Sequence, residues 1–530
     1  MTNHSSSEYP TRGSAFFQPP TQLQKWGDTQ ILPHVNWGDL FFDLFYVAGA
    51  YNLATILKYD ISWTGIFYFF ATFGPVFSNF WLAKMNFDAR FGIPDDVVHR
   101  CFEMLQLCAL ATAVLHIRPV KELSYPADYP ETFLFCLANV FGIGHSILHY
   151  AEIRFVWVNG EEAAKRMAGR DVLRHSVKAI LYCVATIYSG LLFYSDLGEK
   201  GTVYHTPMAI TLIAWLLDPV LTYFLYIVFG GNGDIKSRSV PMNIDFVIHR
   251  YGEWTMLMLG ESVLSLLIVN DSSASKGREF YTTFYVGMVS VILLQYLYFK
   301  SQPHSPDRHA MRRSRNAGIC FSFANQIYSA SLILVGVSYK LISTEYSSEY
   351  DTVDYETEGG DGHRLLGGSS SSYPEKLSTS ERQSRIATLF GLALGVVFIT
   401  LDIMIIAHNG FASSRDRCYC KAGKVQYIGI FVVVISRVLI CAFIMTLSQY
   451  YYTPHVVAWL GLGTIVMQVS VRFLGKTYFP TKMVVHLVDG VKHKISLHSE
   501  ESSEVWPNVT RPTVTQPCSV QVYLENEVGG

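Results

Sequence analysis

Apolar residues run in long blocks along this chain, and polar residues gather between them. Twelve blocks reach the roughly 20 residues that a helix needs to cross a bilayer. They fall at approximately 39–57, 61–83, 97–117, 132–155, 173–195, 206–229, 244–268, 281–299, 317–340, 386–407, 426–448 and 454–474. The pattern predicts an all-α polytopic membrane protein with about twelve transmembrane helices. Two blocks are weaker than the rest. The third contains Glu103 and Gln106, and the sixth contains Asp218-Pro219.

The polar stretches set the domain plan. Residues 1–36 form a polar tail, 37–340 hold helices one to nine, and 386–475 hold helices ten to twelve. The insert at 341–385 is acidic and Ser/Gly-rich, with Glu358-Gly359-Gly360-Asp361 and a run from Ser369 to Ser372. It reads as a disordered outside loop. Residues 476–530 form a second tail with scattered Val and Thr.

Lys and Arg in the short loops predict orientation. Lys165, Arg166, Arg170, Lys236, Arg238, Lys300, Arg308, Arg312, Arg313 and Arg315 lie on one side, with Arg415, Arg417, Lys421 and Lys424. The opposite loops carry few basic residues. Both termini are therefore expected in the cytoplasm, with the choice between plasma and internal membrane open. Asn270-Asp271-Ser272 is a glycosylation sequon in an expected outside loop, which makes Asn270 a candidate acceptor. The sequon at Asn508 falls in the inside tail and reads as a chance match. No cleavable signal peptide is expected, because the first apolar run is long enough to span.

Composition narrows the class. Of 530 residues, 50% are hydrophobic and only 16% charged, against about a quarter charged in an ordinary soluble domain. Net charge is -2, so no basic field is available for nucleic acid. The expected partners are the lipid bilayer and a small ion or solute. The nine cysteines lie mostly inside spans, and Cys418-Tyr419-Cys420 lacks the second pair a zinc site needs.

Ionisable groups at membrane depth cost a few kcal/mol and are functional candidates by default. Asp39 and Asp43 stand four apart in the first span, on one helix face with Tyr46 and Ala50. Either acid also suits a helix N-terminus, where the dipole favours negative charge. The seventh span carries Glu253 and, deeper, Gly260-Glu261-Ser262. A carboxylate at Glu261 must pair, take up a proton or line a wet cavity. Gly260 beside it is expected to let another backbone approach. Arg437 in the eleventh span needs a carboxylate partner, with Glu261, Asp43 and Asp402 as candidates.

His145, His149 and Glu152 share one face of the fourth span at i, i+4 and i+7. Two His and a carboxylate so placed can bind zinc, pass protons, or hydrogen-bond to neighbouring helices. The favoured reading is a polar pathway or structural role; no metal and no cofactor are expected.

The chain reads as six spans written twice. Gly38-Asp39 begins the first span and Gly252-Glu253 begins the seventh. Pro94-Asp95-Asp96-Val97-Val98-His99-Arg100 before the third has a counterpart in Pro306-Asp307-Arg308-His309-Ala310-Met311-Arg312 before the ninth. Six spans per half make the repeats parallel. Asp43 and Glu261 are then expected to face each other near the axis.

Asp39-Leu40-Phe41-Phe42-Asp43-Leu44-Phe45-Tyr46-Val47 resembles the opening motif of the bacterial low temperature requirement A (LtrA) family. Gly260-Glu261-Ser262, after an Arg-aromatic-Gly stretch, resembles its second hallmark, and Asp88 to Arg100 resembles its acidic-to-Arg segment. The resemblance implies a helical membrane protein in an extended, eukaryote-like version, with an added acidic insert and tail. The family has Glu where Asp39 and His249 stand, and Glu253 is placed to restore the second carboxylate.

The leading expectation is a transporter or channel, not an enzyme, that moves a cation or proton-coupled solute through an intramembrane acidic site. Asp43, Glu261, Asp39 and Glu253 are the ion or proton sites, balanced by Arg437. One alternative is a membrane sensor or scaffold without transport. Another is an intramembrane metal hydrolase on His145, His149 and Glu152, which needs a further ligand from a different span.

Overall fold

The computed structural model describes residues 16–26, 37–119, 130–157, 161–194, 205–230, 239–267, 278–303, 306–354, 379–409, 435–446 and 453–478. Each of the twelve apolar blocks contains a helix. These are α1 (Trp37–Tyr59), α2 (Trp63–Val76), α3 (Val97–Leu115), α4 (Glu131–Ala151), α5 (Glu162–Tyr194) and α6 (Thr206–Gly230). Then follow α7 (Ile244–Leu267), α8 (Arg278–Phe299), α9 (Arg315–Asp354), α10 (Thr379–Asn409), α11 (Ile435–Thr446) and α12 (Pro454–Tyr478).

Ten of the helices are long and apolar enough to cross a membrane. The two others fall short for different reasons. α7 carries Asp245, Arg250, Glu253 and Glu261, too much charge for an isolated span. The described part of α11 is only 12 residues.

The insert is shorter than the pattern suggested. α9 continues to Asp354 and α10 begins at Thr379, so helix replaces loop at both edges of 341–385. The centre of the insert, Asn270, Cys418, Cys420 and the tail beyond Tyr478 lie outside the described residues. Part of the N-terminal tail is ordered. Thr21–Gln22 pairs antiparallel with Phe91–Gly92, between α2 and α3.

The chain divides into two compact units, Met1–Phe473 and Leu474–Gly530. In the second, the described residues are the last turn of α12. In the first, α2 and its continuation are the most enclosed helix, with 83% of their apolar window buried, against 17% for α6. A membrane protein buries small and aromatic side chains between helices and turns the rest to lipid. Exposed Phe224, Ile227 and Phe229 on α6 fit that rule.

Local sequence explains the helix ends. Ser62 caps α2 by accepting from the amides of Thr64 and Gly65. Asp96 caps α3 by accepting from His99 N at 2.8 Å. Pro75 interrupts α2, which then continues as a π-helical segment, Phe77–Leu82, and a last α-turn, Ala83–Asp88.

Helix neighbours repeat between the halves. In the first, α1 packs on α2 and α3, α2 on α3 and α6, α3 on α4, α4 on α5 and α6, and α5 on α6. In the second, α7 packs on α8 and α9, α8 on α9, and α9 on α10. Arg437 of α11 reaches Asp402 of α10 and Gln468 of α12. Arg472 of α12 donates to Leu297 O at the end of α8, and Gly461 of α12 lies against Phe390 of α10. Each pairing has its counterpart six helices earlier, as a parallel repeat requires. The halves meet where α1 packs on α7 and α9, and where α2 and α6 pack on α9.

Candidate functional site

Most buried charge gathers at one end of the bundle, where α1, α3, α5 and α7 begin and α2, α4 and α6 end. We call it the near end. Asp39 of α1 pairs with Lys84 at 3.0 Å, and Lys84 pairs with Asp88 one turn on. Asp43, one turn deeper, accepts from both terminal nitrogens of Arg250 of α7, at 2.9 and 3.0 Å. Arg250 also donates to Glu253 at 2.7 Å. The acidic face of α1 is thus tied to α2 by half-buried Lys84 and to α7 by buried Arg250. Trp254 braces this junction, with ring centroids 4.7 Å from Phe77 and Trp81 and 5.1 Å from Tyr46.

Glu261 does not face Asp43. It stands eleven residues beyond Arg250 on α7, roughly 16 Å along the helix. It is 1% exposed, accepts from Ser265 at 3.2 Å through Oε1, and leaves Oε2 without a hydrogen-bond partner. Lys340 of α9 is the basic group in electrostatic reach. The expected close approach at Gly260 is also absent: a Cβ there meets nothing within 4 Å. The tight contact is displaced to Gly336 of α9, where a Cβ falls 2.7 Å from Ser262 Cα.

Arg437 pairs with Asp402, one of its three candidate partners, at 2.5 Å. Its Nε donates to Gln468 at 3.0 Å. The pair joins α10, α11 and α12, and the guanidinium is therefore not the counter-charge of Asp43 or Glu261.

His145 and His149 lie side by side with Nε2 atoms 3.0 Å apart, and Glu152 follows at the start of a π-helical turn. A residue that spacing did not reveal completes the group. His99 of α3 places Nε2 3.1 Å from Glu152 Oε2, and its Nδ1 lies 2.8–2.9 Å from both oxygens of Asp96. Burial works to raise the Asp96 pKa. The amides of His99 and Gln18 and the His99 ring outweigh it and hold the carboxylate below its usual range. The local signal was Asp96 three residues before His99, a helix cap whose side chain also reaches the ring.

A cavity of about 770 Å3 also opens among residues at the near end. Its walls include Lys25, Arg90, Arg170, Arg174, Arg312, Arg313 and Arg315, against Asp171 and Asp218. Asp218 stands twelve residues, roughly 18 Å, before the end of α6. Fully buried Lys178 lies 3.4 Å from it and donates to Ser78 in the π segment of α2 at 2.9 Å. Arg174 approaches the same carboxylate at 3.9 Å. Sequence reading singled out none of these as a site, apart from noting Asp218 as a weakness in its span.

These features define a polytopic helical membrane protein with charged groups paired between its spans. The family model described as bacterial low temperature requirement A protein (LtrA) matches residues 34–471, most of the chain. The chain belongs to that family. No curated protein and no solved structure matches it.

Proposed function

We propose that this chain is a transporter that moves a small solute through its helix bundle, coupled to protons on buried carboxylates. The observation that carries the reading is the near-end cavity lined by Arg174 and Asp218, with Lys178 ion-paired to Asp218. Charged side chains within spans are costly and mark substrate and proton pathways. The basic walls favour an anionic solute, because a cleft lined by one sign of charge concentrates the other.

The ion pairs also weigh against a bare cation as cargo. Asp43 is already neutralised by Arg250, so coordinating a cation there requires breaking a buried bidentate pair. Glu261 has one free oxygen in an enclosed site, which suits a residue that takes up and releases a proton. It stands on α7, which packs on α1 and α9 between the halves.

Proteoliposomes with a trapped pH indicator test this. Small carboxylates and phosphate, supplied outside, are expected to enter with protons. Glu261→Gln is expected to abolish proton movement while leaving the protein folded, and Lys178→Met to weaken solute uptake. No flux from folded wild type, across anions, cations and neutral solutes, would reject transport and favour a sensor or scaffold.

A further inference from the structure

We propose that His99, His149 and Glu152 form a binding site for a divalent transition-metal ion of the zinc class. The inference stands on geometry separate from the transport reading. Two imidazoles and one carboxylate are a donor set that such ions take, with three protein ligands leaving one position open. Here the donors come from the first turn of α3 and the end of α4. One donor atom from each residue lies within 4.8 Å of the others. His99 Nε2 and Glu152 Oε2 stand 3.1 Å apart. That is close to the edge of about 3.3 Å expected for a tetrahedron with 2.0–2.1 Å bonds.

Asp96 accepts from His99 Nδ1, which holds the ring with Nε2 directed at Glu152. Two acceptors at 3.1 Å repel unless a proton or a metal ion sits between them. His149 Nδ1 and Glu152 Oε1 are buried and have no hydrogen-bond partner. His149 is 4% exposed, so bulk solvent does not reach it. A metal ion shared by the three residues would bridge His99 Nε2 and Glu152 Oε2 and give His149 a ligand role at once.

The surroundings have the form of an outer shell. Asp96 is itself held by the amides of Gln18 at 2.7 Å and His99 at 2.8 Å, so the carboxylate that orients His99 is fixed. Phe17 stacks on His99 at 5.8 Å, and Phe102 meets both His99 and His149 edge-on. The second half offers a contrast. His309 and His408, before α9 and within α10, lie 4.7 Å apart, but Phe321 packs on both rings. Among the described residues, the first-half cluster is the one with three donor residues together.

The test uses the full chain purified in detergent, stripped with a chelator and titrated with Zn2+ and then Co2+. About one ion per chain is expected, with the visible absorption of four-coordinate cobalt. His99→Gln, His149→Gln and Glu152→Gln are expected to lose it, and Asp96→Asn to weaken it about 10–100-fold. Folded wild type that binds no better than His99→Gln/His149→Gln would overturn the proposal and leave a hydrogen-bonded cluster only. Should the variants fail to fold, wild type alone decides. Saturating Zn2+ raises its melting temperature if the site exists, and an unchanged melt overturns it.

Discussion

Arg250 of α7 spans the two oxygens of Asp43 of α1 with two hydrogen bonds, at 3.0 and 2.9 Å. Both residues are nine-tenths buried, so the pair is a lock between the first helices of the two halves. It follows that removing one partner harms more than removing both. Asp43→Asn leaves the buried guanidinium with Glu253 as its remaining carboxylate, a loss of up to about 3–5 kcal/mol for breaking such a pair. Asp43→Leu/Arg250→Met is expected to melt above either single variant. Melting temperatures in detergent check this through a double-mutant cycle, and additive losses would show that the two side chains are not coupled.

The contact between α7 and α9 makes a second prediction, which separates two glycines. A Cβ on Gly336 meets Ser262 Cα at 2.7 Å, and backbone cannot swing aside as a side-chain tip can. Gly336→Ala is expected to cost about 1–3 kcal/mol through overpacking. Gly260 has open space at its Cβ, so Gly260→Ala is expected to be neutral or to stabilise by up to about 1 kcal/mol through helix propensity. Equal melting temperatures for the two variants would contradict the packing.

Arg437 supports a third prediction. Its pair with Asp402 and its bond to Gln468 join three helices of the second half, far along the chain from the acidic face of α1. Arg437→Met is therefore expected to lower melting temperature while leaving the coupling energy of Asp43 and Arg250 unchanged. A changed coupling energy in the Arg437→Met background would mean that the two networks communicate.

The spans were legible because each is a local property: about 20 consecutive apolar residues make a membrane helix wherever the chain goes next. α7 is the instructive exception to length and composition as criteria. Its charges satisfy one another and neighbouring helices, so it packs despite them. Partner choice was far less legible. Asp43 was matched to Glu261 by the analogy of the halves. The structure gives it Arg250, because the α1–α7 contact sets which turns face each other, and spacing within one helix does not encode that. The same limit hid His99, whose partner Glu152 lies 53 residues on. Arg437 fared better: a buried Arg calls for a carboxylate counter-charge, and Asp402 was among the three available. The basic cavity was missed since its walls come from at least five separate segments, each unremarkable alone.

His309 makes stability depend on pH. Its ring is fully enclosed before α9, accepts weakly from Met311 N, and packs against His408, whose Nδ1 accepts from Ala310 N at 3.0 Å. Burial, with a smaller contribution from His408, pushes the His309 pKa down to about 3. The folded protein therefore keeps His309 neutral at pH values where the unfolded chain protonates it. Its contribution is complete above the ordinary His value of 6.5 and drains away as pH falls from there toward 3. The loss is about 1.4 kcal/mol per pH unit in that window, or about 2 kcal/mol between pH 6.5 and 5. His309 caps the short helix Ala310–Arg313, and Asn serves as such a cap while carrying no titrating proton. His309→Asn is thus expected to fold and to melt with a shallower decline between pH 7 and 5 than wild type. Parallel melting curves for the two proteins across that range would mean that His309 does not titrate on unfolding.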